Sequence, residues 1–230
     1  MDILDTIEAR WFLDDAGGAA ATAARACFAK VAVEGPREDR YLLTGRDDIG
    51  LKARVGAGKP ATVEAKYLLG SLGPTRLHAR ITGVIERWRK LSLELADPAL
   101  QKDGAWIRVV KSRRLRKLGY EEGVLKEIAL EARASAGCGV ELTELEYDDG
   151  VGRGHSLTVA LEAFGPEALL LDVLLGACRE VFDSASALEL EAGASKGYPR
   201  WLATISDGSG RPASATPAPT DRSSWSHTSK

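Results

Sequence analysis

The chain has 230 residues, enough for one large domain or two small ones, and a single core is the simpler interpretation. Hydrophobic residues make up 44% of the sequence and charged residues 28%, which excludes wholesale disorder. The formal net charge is −2, so the chain as a whole does not attract nucleic acid or an acidic membrane surface. Any binding of anions must therefore come from a local arrangement of charges.

The cysteines and the N-terminus indicate the compartment. Cys27, Cys138 and Cys178 are odd in number and far apart, which predicts neither a disulfide framework nor a zinc site. We expect free thiols in a reducing environment. The acidic segment 1–5 lacks the basic region and apolar core of a signal peptide, and no apolar run approaches the length of a membrane span. These features predict a cytoplasmic protein with no membrane partner.

The N-terminal half is predicted to combine strands with one packing helix. The strands are expected at residues 6–13, 40–44, 51–54, 63–66 and 80–95, and the helix at residues 19–32. The strands at 51–54 and 63–66 flank the turn-rich segment 56–60 and are expected to form a β-hairpin with one apolar and one charged face.

The C-terminal half adds further strands, two helices and a low-complexity segment. Strands are expected at residues 106–118, 140–147 and 157–164, helices at 121–133 and 166–182, and a last sheet segment at 197–205. Residues 206–230 are rich in small and polar residues and are expected to form a disordered tail, which leaves residues 1–205 as the folded domain. Because strands outnumber helices, the expected fold class is α+β, with a closed or sharply curved antiparallel sheet.

Pairs of charged or polar residues two positions apart, or in one case four, recur along the predicted strands. Side chains at this spacing lie on the same face of a strand. The pairs are Glu8 with Arg10, Lys52 with Arg54, Glu64 with Lys66, Arg87 with Arg89, Lys111 with Arg113, Glu141 with Thr143, and Thr158 with Glu162. If these faces converge, they line a lumen with both signs of charge, which suits a polyanion and a divalent cation better than an apolar ligand.

Eight short motifs follow one another in a recognisable order. They are Thr6-Ile7-Glu8-Ala9-Arg10-Trp11-Phe12, Asp39-Arg40-Tyr41-Leu42-Leu43-Thr44, Leu51-Lys52-Ala53-Arg54, Glu64-Ala65-Lys66, Glu86-Arg87-Trp88-Arg89-Lys90, Lys111-Ser112-Arg113, Val140-Glu141-Leu142 and Ala160-Leu161-Glu162. In this order they resemble the motifs of the CYTH superfamily, the triphosphate tunnel metalloenzymes. That superfamily includes class IV adenylyl cyclases, thiamine triphosphatases, inorganic triphosphatases and RNA triphosphatases.

The resemblance implies an eight-stranded antiparallel β-barrel with a charged tunnel, flanked by helices. It implies that basic side chains in the tunnel bind phosphates, namely Arg10, Lys52, Arg54, Lys66, Arg87, Arg89, Lys111, Arg113 and, at the tunnel mouth, Lys196. It implies that carboxylates bind Mg²⁺ or Mn²⁺ or orient its ligands, namely Glu8, Glu64, Glu141 and Glu162. The implied function is binding of a triphosphate or polyphosphate compound, together with its metal-dependent hydrolysis.

The first strand departs from the family pattern at two positions. Thr6 stands where the family has its first Glu, and Arg10 stands where it has Lys. A metal site that lacks one carboxylate binds Mg²⁺ less tightly, whereas phosphate binding tolerates both changes. The alternative is therefore a non-catalytic protein that binds a phosphorylated ligand and has an eroded metal site. The sequence leaves open whether the chain is an enzyme.

Three other interpretations stay open at the level of the residues. The charged pairs could be solvated outer faces of strands. The basic run at 111–117 is a candidate nucleic-acid contact, although it contains no aromatic residue and the chain is not basic. A barrel with a Leu-, Val- and Trp-rich interior would instead bind an apolar ligand or a partner protein. The choice of triphosphate depends on the loops at 71–80 and 147–156.

Overall fold

The computed structural model describes residues 2–15, 17–54, 61–95, 106–148, 152–183, 185 and 187–208. Within them the strands are β1 (Asp2–Leu13), β2 (Val33–Leu42), β3 (Ile49–Arg54), β4 (Ala61–His78), β5 (Ile81–Leu95), β6 (Trp106–Glu121), β7 (Val124–Ile128), β8 (Gly137–Asp148) and β9 (Arg153–Phe164). The helices are α1 (Ala19–Cys27), α2 (Leu170–Phe182) and α3 (Tyr198–Gly208). The expected turn at 56–60 and residues 209–230 of the expected tail lie outside the described residues, whereas residues 206–208 belong to α3.

Eight of these strands close into a barrel, as the sequence predicts. Antiparallel pairs follow the order β2-β3-β4-β5-β1-β9-β8-β6, and a ladder between β2 and β6 closes the ring. The ninth strand, β7, pairs only with the end of β6 among the described strands. The fold is therefore α+β, an antiparallel eight-stranded β-barrel with flanking helices.

The main apolar core lies outside the barrel wall rather than in its lumen. On β1, Ile7, Ala9 and Trp11 belong to a buried apolar cluster with the helices, while Glu8 and Arg10 face the lumen. Strict alternation of faces along a strand produces this division. Helix α2 covers the wall with residues at helical spacing, namely Leu170, Val173, Leu174, Ala177, Val181 and Phe182.

Helix α3 fills one end of the lumen, which we call the capped end. Trp201 stacks on Phe12 of β1 with ring centroids 4.9 Å apart, and Tyr198 stacks on Tyr41 of β2 at 5.3 Å. The prediction of a sheet segment at 197–205 is wrong. Aromatic and β-branched residues favour strands, but here the apolar residues recur with the period of a helix, and this spacing outweighs the propensity. The residues of α3 that contact the barrel recur at intervals of three and four, namely Tyr198, Trp201, Leu202 and Ile205.

The predicted helix at 121–133 is also wrong, because strand β7 occupies its first part. Glu122 and Gly123 have positive φ angles of 50° and 83°, and they form a two-residue turn between β6 and β7. A turn of this kind matches the twist of an antiparallel hairpin and directs the chain back along β6. The short apolar pattern of the segment fits a strand as well as a helix, so the turn residues decide.

Other boundaries also differ from the predictions. Strand β4 runs to His78 instead of ending at residue 66, so the expected loop at 71–80 is mostly strand, and the expected loop at 147–156 includes the end of β8 and the start of β9. Helix α1 ends at Cys27 instead of residue 32, strand β2 begins at Val33 instead of residue 40, and a 3-10 turn at Glu167–Leu169 precedes α2. All three cysteines are free thiols, as expected. Across the described part of the chain, no helix has both the length and the apolar composition needed to cross a membrane.

Candidate functional site

The lumen contains a cavity of about 280 Å³ between the α3 cap and the opposite end, which we call the mouth. Its basic side chains are Arg10, Arg37, Lys52, Arg54, Lys66, Lys90, Lys111 and Arg113, and its acidic ones are Glu8, Glu64, Glu141 and Glu162. The lining is thus positive in a chain whose net charge is −2. The exposed fraction rises from 6% for Lys111 to 30% for Arg54 and 35% for Glu162, which lie at the mouth.

Strand alternation brings ten of the thirteen predicted site residues to this cavity. They are all the lining charges apart from Arg37 and Lys90. The interpretation of these charged faces as solvated outer surfaces does not hold for them. The lumen is also not the Leu-, Val- and Trp-rich interior that an apolar ligand requires.

Two predicted phosphate ligands, Arg87 and Arg89, lie away from the cavity. They occupy the outward positions of β5, because Trp88 and Lys90 take the positions that face the lumen. Arg89 forms a bidentate ion pair with Asp5 at 2.7 and 2.8 Å, and Arg87 lies 3.6 Å from the same carboxylate. The structure therefore does not bring these two arginines together with the other predicted site residues.

Lys196, a third predicted ligand, is not among the described residues that line the cavity. Its backbone N–H donates a hydrogen bond to the carbonyl of Arg10 at 2.9 Å, beside a β-bridge between Ser195 and Trp11. This contact fixes the chain against β1 just before α3 begins. Lys196 thus helps to place the cap through its backbone.

Toward the mouth, one lysine joins two carboxylates. Lys66 Nζ lies 2.8 Å from Glu8 and 3.1 Å from Glu162, and these two glutamates are opposite each other in the β1–β9 ladder. Thr6 donates to Glu162 at 3.3 Å. Burial alone would lower the pKa of Lys66, but the charges of Glu162 and Glu8 outweigh burial and raise that pKa above its ordinary value. The protein itself neutralises this cluster.

Arg10 connects that cluster to the next carboxylate. Its guanidinium lies 3.1 Å from Glu8 and 2.8 Å from Glu141, and it donates to the hydroxyl of Thr158 at 3.2 Å. Arg113 reaches the other oxygen of Glu141 at 3.4 Å. Burial raises the pKa of Glu141, but the charges of Arg10 and Arg113 outweigh it and lower the pKa to about 2. Glu141 is therefore ionised at neutral pH.

Asp39, a buried carboxylate of β2, is shared by three cations. It lies 3.0 Å from Arg54, 3.4 Å from Lys111 and 3.5 Å from Arg37. The ammonium of Lys111 also donates to the hydroxyl of Tyr41. Burial lowers the pKa of Lys111 to about 7, because one shared carboxylate does not compensate for it. In this part of the cavity the cations outnumber the carboxylates that neutralise them.

Lys52 has similar surroundings on the neighbouring strand. It pairs with Glu64, which also lies 3.8 Å from Arg54. Burial lowers the pKa of Lys52 to about 8 despite the charges of Glu64 and Asp39. Amines whose pKa is lowered in this way are stabilised in their charged form when an anion arrives. The imbalance around Lys52 and Lys111 thus favours an anionic ligand.

The four glutamates do not form a carboxylate cage for a divalent cation. Each has a basic side chain within ion-pair distance, and Lys66 Nζ occupies the space between Glu8 and Glu162. Among the described residues, no three His, Cys, Asp or Glu side chains come together as metal ligands. Because Mg²⁺ and Mn²⁺ prefer several oxygen ligands, the residues present do not fit a resident divalent ion while Lys66 keeps this position.

Sequence reasoning missed several residues that line or support the cavity. Arg37, Asp39 and Tyr41 alternate on β2 as the predicted pairs do, so strand periodicity was a usable signal for them. Lys90 lies on the lumen face of β5 in the same way. Tyr198 offered no such signal, because its position depends on α3 folding back onto the barrel.

The basic run at 111–117 does not form a single surface. Lys111 and Arg113 line the lumen, whereas Arg116 pairs with Glu127 of β7 at 2.7 Å on the outside. The structure therefore divides the candidate nucleic-acid patch between two faces of β6.

Comparison with known proteins identifies no relative, since no protein-family model matches the chain and no curated protein matches it. The function of the cavity must be inferred from its geometry and its charge. Those features are a lumen capped by α3, an excess of basic side chains and two lysines with lowered pKa values.

Proposed function

We propose that the barrel binds a phosphorylated polyanion of triphosphate size in its cavity. The observation that carries the proposal is the lining of eight basic and four acidic side chains in a chain whose net charge is −2. Arg and Lys bind phosphate oxygens through charge-assisted hydrogen bonds. A polyanion supplies the negative charge that is missing from the surroundings of Lys52 and Lys111. The volume of about 280 Å³ restricts the buried part of the ligand to a short phosphate chain.

The residues proposed to contact the ligand come from five strands of the barrel. They are Arg10, Arg37, Lys52, Arg54, Lys90, Lys111 and Arg113. Lys66 is held by Glu8 and Glu162 and contributes charge to the same space. The motif resemblance to the triphosphate tunnel metalloenzymes supports the same class of ligand.

Titration of the chain with tripolyphosphate in EDTA tests the proposal. We expect saturable binding by calorimetry and an increase in Tm, because a ligand that binds only the folded state stabilises it. Both effects should weaken as NaCl is added, since salt screens the attraction. Sodium sulfate at matched ionic strength is the control. Absence of saturable tripolyphosphate binding would contradict the proposal.

Metal-dependent hydrolysis is the second candidate function, favoured by the convergence of Glu8 and Glu162 on one point of the cavity. It requires Lys66 to leave the space between them. The assay is phosphate release from tripolyphosphate and from nucleoside triphosphates with Mg²⁺ or Mn²⁺. Turnover that is lost in Glu162→Ala would support hydrolysis, whereas binding in EDTA without turnover in either metal would support the non-catalytic alternative.

A further inference from the structure

Two buried hydroxyls of the cavity lining have no hydrogen-bond partner among the described residues. They are Tyr198 Oη and Thr143 Oγ1. Thr143 is only 1% exposed, so bulk solvent does not satisfy its hydroxyl. Buried polar atoms are nearly always paired in folded proteins, and two unpaired hydroxyls beside one cavity point to a ligand that completes them.

Tyr198 contacts Lys111 at the capped end, and the β-ladders place Arg37 and Thr143 beside the lumen-facing cations of β6. Lys111 Nζ lies 3.9 Å from the centroid of the Tyr198 ring. Arg37 is the partner of Lys111 in the β2–β6 ladder, and Thr143 is the partner of Arg113 in the β6–β8 ladder. Three strands and α3 therefore bring neutral donors and positive charge to one place.

Helix α3 makes this end of the cavity blind. Tyr198 and Pro199 line the cavity, and behind them Trp201 packs on Phe12 in a buried apolar cluster. A ligand therefore enters from the mouth, and its leading group is the one that reaches Tyr198.

We propose that the capped end is a subsite for a free terminal phosphate, so that the protein accepts phosphate chains with an unmodified end and rejects those without one. This inference rests on the function proposed above and specifies its substrate class. The hydroxyls of Tyr198 and Thr143 donate to phosphoryl oxygens, while Arg37 and Lys111 supply N–H groups and charge. Burial raises the pKa of Tyr198, so its hydroxyl keeps the proton that it donates.

The chemistry of a terminal phosphate matches these donors. A terminal phosphate has three unbridged oxygens and carries a second negative charge near neutral pH. A phosphate bridged on both sides has fewer free oxygens and less charge, and its second substituent needs space that the cap occupies. The subsite therefore distinguishes the end of a phosphate chain from its middle.

The first test compares linear tripolyphosphate with cyclic tetrametaphosphate, an inorganic compound of similar total charge that has no terminal phosphate. Calorimetric titration of the wild-type chain in EDTA should show at least about tenfold weaker binding of the cyclic compound, because the donors of the subsite stay unpaired. Equal affinity for the two compounds would overturn the inference and leave the proposed function intact. Failure of both compounds to bind would instead refute the proposed function and this inference with it.

The second test removes single hydroxyls. Tyr198→Phe and Thr143→Val should each weaken tripolyphosphate binding about tenfold and leave the weak binding of tetrametaphosphate unchanged. Tyr67→Phe, which removes a tyrosine hydroxyl from a side chain that does not line the cavity, is the matched control and should bind as the wild type does. Wild-type affinity in both subsite variants would overturn the inference. The Tm of each variant without ligand establishes whether it is folded. If Tyr198→Phe does not fold, Thr143→Val alone decides the test.

Discussion

Lys66 and Lys111 belong to the same cavity, but their ammonium groups have opposite surroundings. Lys66 lies within 3.1 Å of two carboxylates, and its pKa is raised. Lys111 lies 3.4 Å from one carboxylate that it shares with two arginines, and burial lowers its pKa to about 7. Burial acts on both lysines, but Lys66 contacts two carboxylates directly, whereas Lys111 shares one and is opposed by the charges of Arg10 and Arg37. The protein neutralises the surroundings of Lys66 and leaves those of Lys111 to a ligand.

The largest expected effect is at Lys111. Lys111→Met should weaken tripolyphosphate binding by at least about 100-fold, because a buried charge that contacts the anion is lost. The same change should stabilise the free protein by about 0.5–2 kcal/mol, since it removes a buried cation that is poorly compensated. Calorimetry and urea unfolding measure the two effects.

Lys126→Met is the control for Lys111→Met, because Lys126 is exposed on β7. We expect wild-type binding and a change in unfolding free energy within about 0.5 kcal/mol for this control. If Lys111→Met bound tripolyphosphate as tightly as the wild type, Lys111 would not be a ligand, and the contrast with Lys66 would lose its functional meaning.

The second effect is at Lys66 and concerns stability. Lys66→Met should destabilise the protein by about 2–4 kcal/mol, because it leaves Glu8 and Glu162 facing each other without their shared cation. Mg²⁺ should restore part of the lost Tm, because the two carboxylates then become available to a divalent ion. Thermal unfolding with and without MgCl2 measures both.

Lys90→Met is the matched control at the same cavity, because no carboxylate of the described residues lies within ion-pair distance of Lys90. It should cost little stability and show no response to Mg²⁺. A Lys66→Met variant as stable as the wild type would mean that the lysine does not neutralise the two glutamates.

The third effect is uptake of protons on binding. The charged and titratable groups around Lys111 are Arg37, Asp39 and Tyr41 of β2, Arg10 of β1, Glu141 of β8 and Tyr198 of α3. The pKa values of about 7 for Lys111 and about 8 for Lys52 should rise when an anion binds. Below pH 7 both lysines are already charged, so affinity should be highest there and fall as the pH rises through 7 and 8.

Calorimetry at pH 8 in two buffers of different ionisation enthalpy measures this uptake. Contact with cations makes a phosphate release protons and not take them up, so net uptake is assigned to the protein. Lys111→Met should reduce the uptake and leave the share that belongs to Lys52. A binding heat that does not depend on the buffer would mean that neither Lys111 nor Lys52 takes up a proton when the anion binds.

The smallest effect is expected on the outer face of β5. Arg89→Ala removes an exposed ion pair with Asp5 and should cost less than about 1 kcal/mol, with no change in tripolyphosphate affinity. Lys90→Met, one position further along, faces the lumen and should weaken binding. Titration of both variants with tripolyphosphate tests this alternation. A loss of affinity in Arg89→Ala alone would mean that Arg89, and not Lys90, faces the lumen.

Local patterns in the sequence predicted a closed or sharply curved antiparallel sheet, and the motif resemblance implied the eight-stranded barrel and most of its charged lining. Lys52 and Arg54, or Lys111 and Arg113, share a face because the period of a strand is two residues, and this holds whatever the strand pairs with. Arg87 and Arg89 obey the same period and lie outside. Which face of β5 these two arginines occupy depends on the register of β5 against β1. Alternation along one strand does not specify that register.

Two elements show where local reasoning fails. At β7 the turn formed by Glu122 and Gly123 decides against a helix whose short apolar pattern was equally compatible with a strand. At α3 the aromatic residues suggest a strand, but the helical spacing of Tyr198, Trp201 and Leu202 allows them to fill the end of the barrel. The turn residues at β7 and the helical spacing at α3 predict the observed structures when they are given more weight than the strand or helix propensity of single residues.

By itself, the sequence determined antiparallel strands with alternating apolar and charged faces, because alternation is a property of neighbouring residues. Only the tertiary structure decided which end α3 closes, which cations share Asp39, and why Lys66 and Lys111 differ in pKa. These features arise from contacts between residues far apart in the chain. A pKa and an unpaired hydroxyl depend on the whole surroundings of a group, which exist only after the barrel has closed.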